Sequence, residues 1–493
     1  MANLLQPDTT GKWYNIYAKK WAKIETILEG DDGIKEAGKA YLPQLTGQTA
    51  KEYASYKDRG VFFNAFSRTA QGLTGAIVRK DPVIKTDKKV EDLLPRIGAN
   101  NESIQEANRL IVQSVIQFGY YGVLVGMDAA ESVNAKPYFA FYCPSTILNF
   151  KTVQEGDELK LVKICLLESK MMDDPTNKYN QIETEQVRDM EIVGGKLIVK
   201  IFVKKPGSGK NKDEVWLQEG ADIEPKIVGK PLDFIPFVFF GSVTNTPKPD
   251  EPPLMDLANL NIKHWQLTVD YYHGLHYCAI PTAWAAGFGE KADLYLGGTK
   301  AWVSDNPQAN CGYLEFTGAG LGEIANALSK LESQMAILGA RLLEEQKKAA
   351  EAADTVRMRY SGDTATLSSI VNCVEQGLTK AIDFAGRWLN MVTKTEVSLN
   401  REFVSERLSA QDITALLSAW QAGGISIDTF LYQLQTGEIL SPDTSIDDEK
   451  GRLDAELAKY SPTGMDKFGG NPLEATNNAK KAGTGAGNIL PIR

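Results

Sequence analysis

Two stretches of similar length decide the fold: residues 253–278, PLMDLANLNIKHWQLTVDYYHGLHYC, and residues 321–345, LGEIANALSKLESQMAILGARLLEE. Both are predicted as long helices of ~38 Å each, at 1.5 Å per residue. Pro252 and Pro253 suit the first turn of a helix, and Pro281 ends the first one. Residues 279–320 between them are predicted as short strands and turns. Such a protruding hairpin cannot bury its apolar surface alone, which favours an assembly component over a compact enzyme.

Apolar side chains follow one side of each predicted helix. The first helix carries a stripe with two polar interruptions: Leu254, Ala258, Asn261, Trp265, Thr268, Tyr272 and Leu275. The second carries a seam with alternating spacings of four and three: Ile324, Leu328, Leu331, Met335, Leu338 and Leu342. This heptad pattern fits the core-facing side of an ordinary helix and a seam between subunits equally well.

The segment between the two helices is rich in large apolar side chains for its length: Trp284, Phe288, Leu294, Tyr295, Trp302, Tyr313 and Phe316. A neighbouring chain is needed to cover them, as in obligate interfaces. A closed ring of head-to-tail contacts supplies such cover.

Length and composition describe a folded, acidic, multidomain protein. The chain has 493 residues, so two to four domains are expected. It has 54 basic and 63 acidic residues and a net charge of −9, which excludes a protein that grips nucleic acid over its whole surface. Five scattered cysteines without a C-x-x-C motif predict reduced thiols in a cytosolic compartment. The sequence predicts neither a signal peptide nor a span of the ~20 apolar residues that cross a bilayer.

The remaining segments predict an α+β first half and a helical C-terminal part. Helices are predicted over residues 12–28, 49–77 and 103–118, the last with a capping box at Ser103 and Glu106. Residues 121–243 are predicted as strands, with a two-residue hairpin turn at Gly194-Gly195 and an exposed loop at 204–213. A long helix is predicted over 365–391, and shorter ones between 405 and 457, where Gly423-Gly424 is a break and Ser426 a cap. The composition beyond Ser461 predicts disorder.

Catalytic chemistry finds little support in the sequence. The glycine-rich stretches lack the residues and the setting of a phosphate-binding loop. Asp270, His273 and His276 lie one helical turn apart, but no Cys or His cluster elsewhere completes a metal site. His264, His273 and His276 are therefore predicted to pack between helices. We expect no enzyme activity, no cofactor and no metal.

Four basic residues follow the second helix of the hairpin: Lys347, Lys348, Arg357 and Arg359. On a loop lining an axial channel, symmetry would make them a basic ring that touches DNA phosphates within an acidic lumen. Alternatively, they form ion pairs with neighbouring acidic residues on an exposed helix.

Several segments, in this order, resemble a group of tailed-phage portal proteins. The first is YKDRGVFFNAFSRTAQGLTG at residues 56–75, shortly after Tyr41-Leu42-Pro43. The later ones are residues 136–138, 147–149, 253–264, 338–343 and 420–426. The resemblance implies an α+β, portal-type fold with an α/β wing, a two-helix stem, a small α/β clip and a helical C-terminal crown.

The implied domain bounds divide the chain as follows: wing and body at 1–252, stem helices at 253–278 and 321–345, the clip at 279–320, a tunnel-loop region at 346–364, a long body helix at 365–395, the crown at 396–460 and a flexible tail at 461–493. Residues 346–364 could equally continue a helix, because alanines at 349, 350, 352 and 353 favour it.

The implied function is a non-enzymatic ring, typically of twelve subunits, at one capsid vertex, assembled in the host cytoplasm. Its implied partners are copies of itself, double-stranded DNA without sequence specificity, the terminase large subunit, a head–tail adaptor and the major capsid protein. Two alternatives remain open. One is another head–tail connector component, and the other is a cytosolic enzyme with His264, His273 or His276 as its base.

Overall fold

Helices predominate up to Phe118, strands from Tyr120 to Gly241, and helices again from Met255. The computed structural model describes residues 6–127, 135–174, 176–206, 214–280, 282–289, 294–295, 301–314, 318–340, 353–401, 403, 410–437, 439–440 and 444–460. The chain divides into two units, Met1–Arg401 and Glu402–Arg493. The mixture of helix and strand confirms the predicted α+β class.

The helices of the first unit are α1 (Lys12–Leu28), α2 (Gly30–Ala37), α3 (Ala50–Asp58), α4 (Ala65–Ile77), α5 (Lys88–Glu91), α6 (Ile104–Phe118), α7 (Met255–Ala279), α8 (Leu321–Met335) and α9 (Ala353–Trp388). The predictions of α1, α6 and α7 are confirmed to within two residues. The predicted capping box of α6 is present, with the Glu106 amide donating to the Ser103 hydroxyl at 3.3 Å, and Gly119 ends the helix at φ 69°.

Two helical predictions were wrong in their bounds. Residues 49–77 form two helices, α3 and α4, because residues 59–64 are held in a non-helical linker against α7. The helix predicted from 365 begins earlier, at Ala353, and runs through Ser361-Gly362, so the second half of residues 346–364 is helical. A Ser-Gly pair inside a long helix costs about 1 kcal/mol, too little to end it.

The strands of the first unit are β1 (Val83–Lys85), β2 (Tyr120–Met127), β3 (Pro137–Tyr142), β4 (Ile147–Glu155), β5 (Glu158–Asp173), β6 (Gln181–Val193), β7 (Lys196–Pro206), β8 (Glu214–Gln218), β9 (Lys226–Ile227), β10 (Lys230–Pro231), β11 (Phe237–Gly241), β12 (Thr282–Ala286), β13 (Asn310–Leu314) and β14 (Glu396–Ser398). The larger sheets have the orders β4-β5-β6-β7-β8 and β11-β2-β3, with antiparallel neighbours throughout.

The hairpin turn predicted between β6 and β7 is confirmed, since Gly194 and Gly195 both have positive φ, 59° and 76°. The loop predicted at 204–213 starts too early, because β7 continues to Pro206 and pairs with β8. Residues 207–213 lie outside the described residues.

An aromatic stack joins α1 to the three-stranded sheet and forms one part of the core. The rings of Tyr17, Trp21, Tyr120 and Phe239 follow one another at centroid distances of 5.8, 6.0 and 5.8 Å. On the other side, α9 packs against β11 and β2, and the Trp388 indole donates to the Val125 carbonyl at 2.8 Å. The three-stranded sheet is thus covered by helices on both faces.

The second unit consists, in its described part, of the helices α10 (Ala410–Gln421), α11 (Ile427–Thr436) and α12 (Ile446–Tyr460). The predicted break at Gly423-Gly424 and the cap at Ser426 are confirmed, as the Thr429 amide donates to the Ser426 hydroxyl at 3.1 Å. Residues 396–401, predicted with this part, belong to the first unit because β14 pairs with β1. The predicted tail at 461–493 lies outside the described residues.

Candidate subunit and partner interface

The first half of α7 is anchored in the first unit. Its buried residues are Leu257, Ala258, Asn261, Ile262, His264, Trp265, Thr268 and Val269, and they face α1, α3 and α4. Trp265 is fully buried. Complete burial of a tryptophan is one of the largest single apolar contributions a helix makes to stability. This half of the helix is therefore a structural base.

Two polar residues of α7 attach it to the linker at 59–64. Asn261 is fully buried, accepts from the Phe66 amide at 3.0 Å and donates to the Phe63 carbonyl at 2.8 Å. The Thr268 hydroxyl lies 3.0 Å from the Val61 carbonyl oxygen. Asn261 and Thr268, which interrupt the apolar stripe, therefore supply hydrogen-bond partners to a linker that has no helical hydrogen bonds of its own. From the sequence, these two residues were interpreted as part of a partly polar seam.

The second half of α7 packs on α8, and Tyr56 of α3 also contacts it at Asp270 and His273. Gly274 makes this close approach possible, because a Cβ there would lie 2.6 Å from Leu321 Cδ2. The opposite surface is uncovered: Tyr272 and Tyr277 of the helix and Ile280 after it are exposed. The predicted apolar stripe is thus buried up to Thr268, while Tyr272 is exposed and Leu275 half-buried.

The three histidines occupy three different environments. His264 is buried, and its Nε2 lies 3.2 Å from Glu332 Oε1 on α8. His273 packs edge-on against Tyr56 and Tyr277 at centroid distances of 4.9 and 4.8 Å, and burial, helped by the nearby Arg59, lowers its pKa. His276 is exposed.

Asp270, the carboxylate considered for a metal site, accepts a hydrogen bond from the Tyr56 hydroxyl. Burial and this carboxylate raise the pKa of Tyr56, so the phenol stays protonated. Among the described residues, no group of three or more His, Cys, Asp or Glu could hold a metal ion. The Tyr56–Asp270 hydrogen bond links α3 to α7.

The seam predicted on the second helix is divided by the structure. Leu328 and Met335 are buried, Ile324 and Leu331 are half-buried, and Leu338 is 44% exposed. A π-helical turn at Ala336–Ala340 inserts an extra residue and moves the buried position from Leu338 to Gly339. Leu342 lies outside the described residues. Whether the half-buried positions meet another subunit remains a prediction.

Gly339 fixes the end of this helix against the base. A Cβ at this position would lie 2.5 Å from Thr69 Cγ2 and 3.1 Å from Leu257 Cδ2. Only glycine lets the π-helical turn approach α4 and α7 so closely. The hairpin is therefore fixed at one end and uncovered at the other.

The tip of the hairpin is the antiparallel pair β12–β13, in agreement with the predicted short strands. Trp284 is 42% exposed and Tyr313 is 60% exposed, while Leu294 and Tyr295 are also exposed. Phe288 and Trp302 are half-buried, and the Trp302 indole donates to the Tyr295 carbonyl at 2.8 Å. Phe316 lies outside the described residues. The tip thus presents large apolar side chains on both faces of a two-stranded sheet.

Sequence reasoning missed three exposed members of the tip: Ile280, Leu314 and Val303, which is 82% exposed. For Leu314 the signal was available, because an aliphatic residue in a two-stranded sheet has no third strand or helix to cover it. It also missed the Asn261 hydrogen bonds, whose partners lie nearly two hundred positions away and leave no local pattern.

The predicted DNA-contact cluster is only partly within the described structure. Arg357 and Arg359 lie in the first turns of α9, whereas Lys347 and Lys348 lie outside the described residues. Contact of these four residues with DNA remains a prediction. In the described part of the chain, no helix is long and apolar enough to cross a membrane.

Comparisons with known proteins give a partial family match and weak structural similarity. Residues 253–389, which include the hairpin and most of α9, match the family "Domain of unknown function (DUF4055)". No curated protein matches the chain.

Solved structures with some similarity include a chain from the neck of an empty GTA particle, computed with C6 symmetry, at 11% identity and a TM-score of 0.38, covering 79% of this chain and 94% of that one. A chain from the virion of a native gene transfer agent (GTA) particle has 10% identity and a TM-score of 0.35, covering 79% of this chain and 93% of that one. A chain from the neck of a native GTA particle, computed with C12 symmetry, has 10% identity and a TM-score of 0.34, covering 81% and 98%. At these TM-scores the similarity carries no argument about this chain.

Proposed function

We propose that this chain is a portal protein of a tailed phage: a structural ring of identical subunits at one capsid vertex, through which double-stranded DNA is packaged and later ejected. One observation carries the proposal. The base of the α7–α8 hairpin is anchored in the first unit, whereas the outer half of α7 and the β12–β13 tip expose large apolar side chains. The resemblance of residues 56–75 and of the later segments to portal proteins supports it.

A ring of identical subunits accounts for a hairpin whose base is anchored and whose outer part is exposed. Contiguous exposed apolar groups are rare on soluble monomers and mark surfaces that another chain covers. Head-to-tail packing of identical copies covers every hairpin in turn and closes without leaving an unpaired end. The tip then forms one rim of the ring, where it docks the terminase large subunit during packaging and a head–tail adaptor afterwards.

DNA contact in this proposal is weak and independent of sequence. The net charge of −9 gives an acidic surface that repels phosphate. Lys347, Lys348, Arg357 and Arg359 supply a few phosphate contacts per subunit, which guide the DNA and let it slide. The energy for movement comes from the motor that docks at the tip.

Mass measurement of the purified full chain under native conditions, with electron-microscope images, tests the ring. We expect particles of about twelve subunits with a central hole. A stable monomer or dimer would overturn the proposal and favour an enzyme. A ring that the phage needs for tail attachment but not for packaging would favour another head–tail connector component instead.

The DNA contact is tested by replacing Lys347, Lys348, Arg357 and Arg359 together by alanine. Packaging should fall while rings still assemble. The matched control replaces four exposed lysines outside the cluster by alanine: Lys88 and Lys89 of α5, with Lys226 and Lys230 of β9 and β10. Normal packaging by the fourfold variant would remove the cluster from the mechanism.

A further inference from the structure

The two longest strands of the first unit extend beyond their sheet as a two-stranded arm. β4 pairs with β5 only as far as Leu166, and β7 pairs with β6 only as far as Gln186. Among the described residues, 169–173 and 181–185 therefore pair only with each other. We name this segment the β5–β6 arm. An isolated two-stranded ribbon is marginally stable in water, so the arm needs support at its root or from a partner.

The root of the arm is fixed by a half-buried ion pair. Arg188 donates to the Glu168 carboxylate at 2.6 and 3.2 Å, and the Tyr142 hydroxyl donates to the same carboxylate at 2.5 Å. Burial raises the pKa of Glu168, but Arg188 and the hydrogen bonds lower it by more, so the carboxylate stays charged. The arm therefore projects in a defined direction.

One face of the arm is an apolar centre surrounded by carboxylates. Directly opposed residues of an antiparallel pair share a face, and Met171 lies opposite Glu183. Asp173 and Glu185 are on the same face, and Met171 is 56% exposed. Glu185 contacts Lys204, while Asp173 and Glu183 have no ion pair within the described residues.

The outer side of α1 shows the opposite pattern, an apolar centre surrounded by ammonium groups. Ile16 is 47% exposed, and Lys12 and Lys19 lie one turn before and one turn after it. Lys20, next to them, contacts Glu251 at 2.5 Å. In the described part of the chain neither Lys12 nor Lys19 has a carboxylate partner.

We propose that the β5–β6 arm of one subunit docks on the outer face of α1 of the next subunit, with Met171 against Ile16 and the carboxylates against Lys12 and Lys19. This inference rests on the proposed ring and adds a partner surface to it. The two surfaces are different and complementary, so the contact is head to tail, as ring closure requires. An apolar centre with a charged rim of opposite sign is the arrangement that selects one orientation at an interface.

A charge-swap experiment on the full chain tests the contact. Asp173→Lys with Glu183→Lys should raise the subunit concentration at half-assembly about tenfold, because like charges would face each other. Lys12→Glu with Lys19→Glu should do the same. Combining all four substitutions should restore assembly to within about threefold of the unmodified chain, since the pairing is re-formed with reversed signs. Native mass spectrometry over a concentration series measures the half-assembly concentration of all three variants.

Matched controls carry the same charge changes elsewhere. They are Asp157→Lys with Glu158→Lys at the β4–β5 turn, and Lys226→Glu with Lys230→Glu on β9 and β10, all of them exposed. Both should assemble like the unmodified chain. Effects of equal size in the controls, or no restoration in the fourfold variant, would overturn the docking proposal.

A disulfide between subunits provides a second measurement that does not depend on charge. Ile16→Cys with Met171→Cys should give covalent subunit ladders on oxidation, and neither single variant should. Rings without ladders would overturn the docking contact and leave the ring itself standing. An unmodified chain that never forms rings would instead refute the proposed function.

Discussion

The two halves of α7 lie in one helix but have opposite environments. The half up to Val269 buries Trp265 completely and binds the 59–64 linker through Asn261 and Thr268. The half beyond it, with the β12–β13 tip, leaves Tyr277, Trp284 and Tyr313 exposed. Residues of the same chemical type are therefore buried in one half and exposed in the other half.

The comparison shows that apolar content does not by itself assign a helix to the core. Trp265 and Trp284 are both tryptophans of the hairpin, and only their neighbours differ. Where a linker and other helices surround the side chain, it contributes to folding. Where only a two-stranded sheet is present, the same kind of side chain stays exposed.

The largest difference is expected between two tryptophan substitutions. Trp265→Ala should lower the free energy of unfolding of the subunit by about 3–5 kcal/mol, because it leaves a cavity beside Gly60 of the linker. Trp284→Ala should change it by less than about 1 kcal/mol and weaken ring assembly instead. Denaturant unfolding of dissociated subunits measures the free energy of unfolding of each variant. Native mass measurement shows how far each variant assembles into rings. Equal losses of subunit stability would abolish the distinction between base and tip.

Asn261→Ala should cost about 3 kcal/mol, since it leaves the buried Phe66 amide and Phe63 carbonyl without their partner. The control is Asn259→Ala on the exposed side of the same helix, where the Lys23 contact at 2.8 Å is lost in water. That change should stay below about 0.5 kcal/mol. A similar cost at both positions, measured by denaturant unfolding, would mean that the linker does not need the hydrogen bonds.

Gly339→Ala should cost about 2 kcal/mol, because its Cβ would collide with Thr69. Adding Thr69→Ala should recover part of this loss, as expected for residues in direct contact. Gly322→Ala in α8 has open space around it and should be neutral or stabilising. Thermal unfolding distinguishes these variants, and a cost that Thr69→Ala leaves unchanged would contradict the close approach.

The smallest effect concerns pH. The pKa of His273 is lower in the folded chain than in the unfolded one, mainly because of burial. The unfolded state therefore takes up the proton first as pH falls, and stability decreases below the ordinary histidine pKa of about 6.5. His273→Gln should flatten the slope of unfolding free energy between pH 7 and 5. An unchanged slope would show that His273 is equally accessible in both states.

Local signals in the sequence predicted much of the fold. The Ser103–Glu106 capping box, the Gly194-Gly195 turn and the Ser426 cap each depend on neighbouring residues, and each is present. The helix at 255–279 followed from length and proline placement. The predictions that failed, a continuous helix over 49–77 and a helix start at 365, depended on contacts or propensities that a short window does not contain.

The candidate interface was predicted less completely. The aromatic residues of the tip were found from composition, and those within the described structure are exposed or half-buried. Leu338 is exposed and Gly339 takes the buried position, because the π-helical turn shifts the register. Contact of the seam with another subunit remains a prediction. The β5–β6 arm was not foreseen, since strand length beyond the neighbouring strands is visible only after the sheet is assembled.

The sequence alone determined the helix and strand content, the caps and turns, the acidic charge and the excess of apolar side chains between the two hairpin helices, because each depends on residues near one another in the chain. The tertiary structure decided which half of α7 is buried, how residues 59–64 are held, and which charged faces stay uncovered on α1 and on the β5–β6 arm. Those outcomes depend on contacts between residues far apart in sequence, and burial is a property of such contacts rather than of any segment.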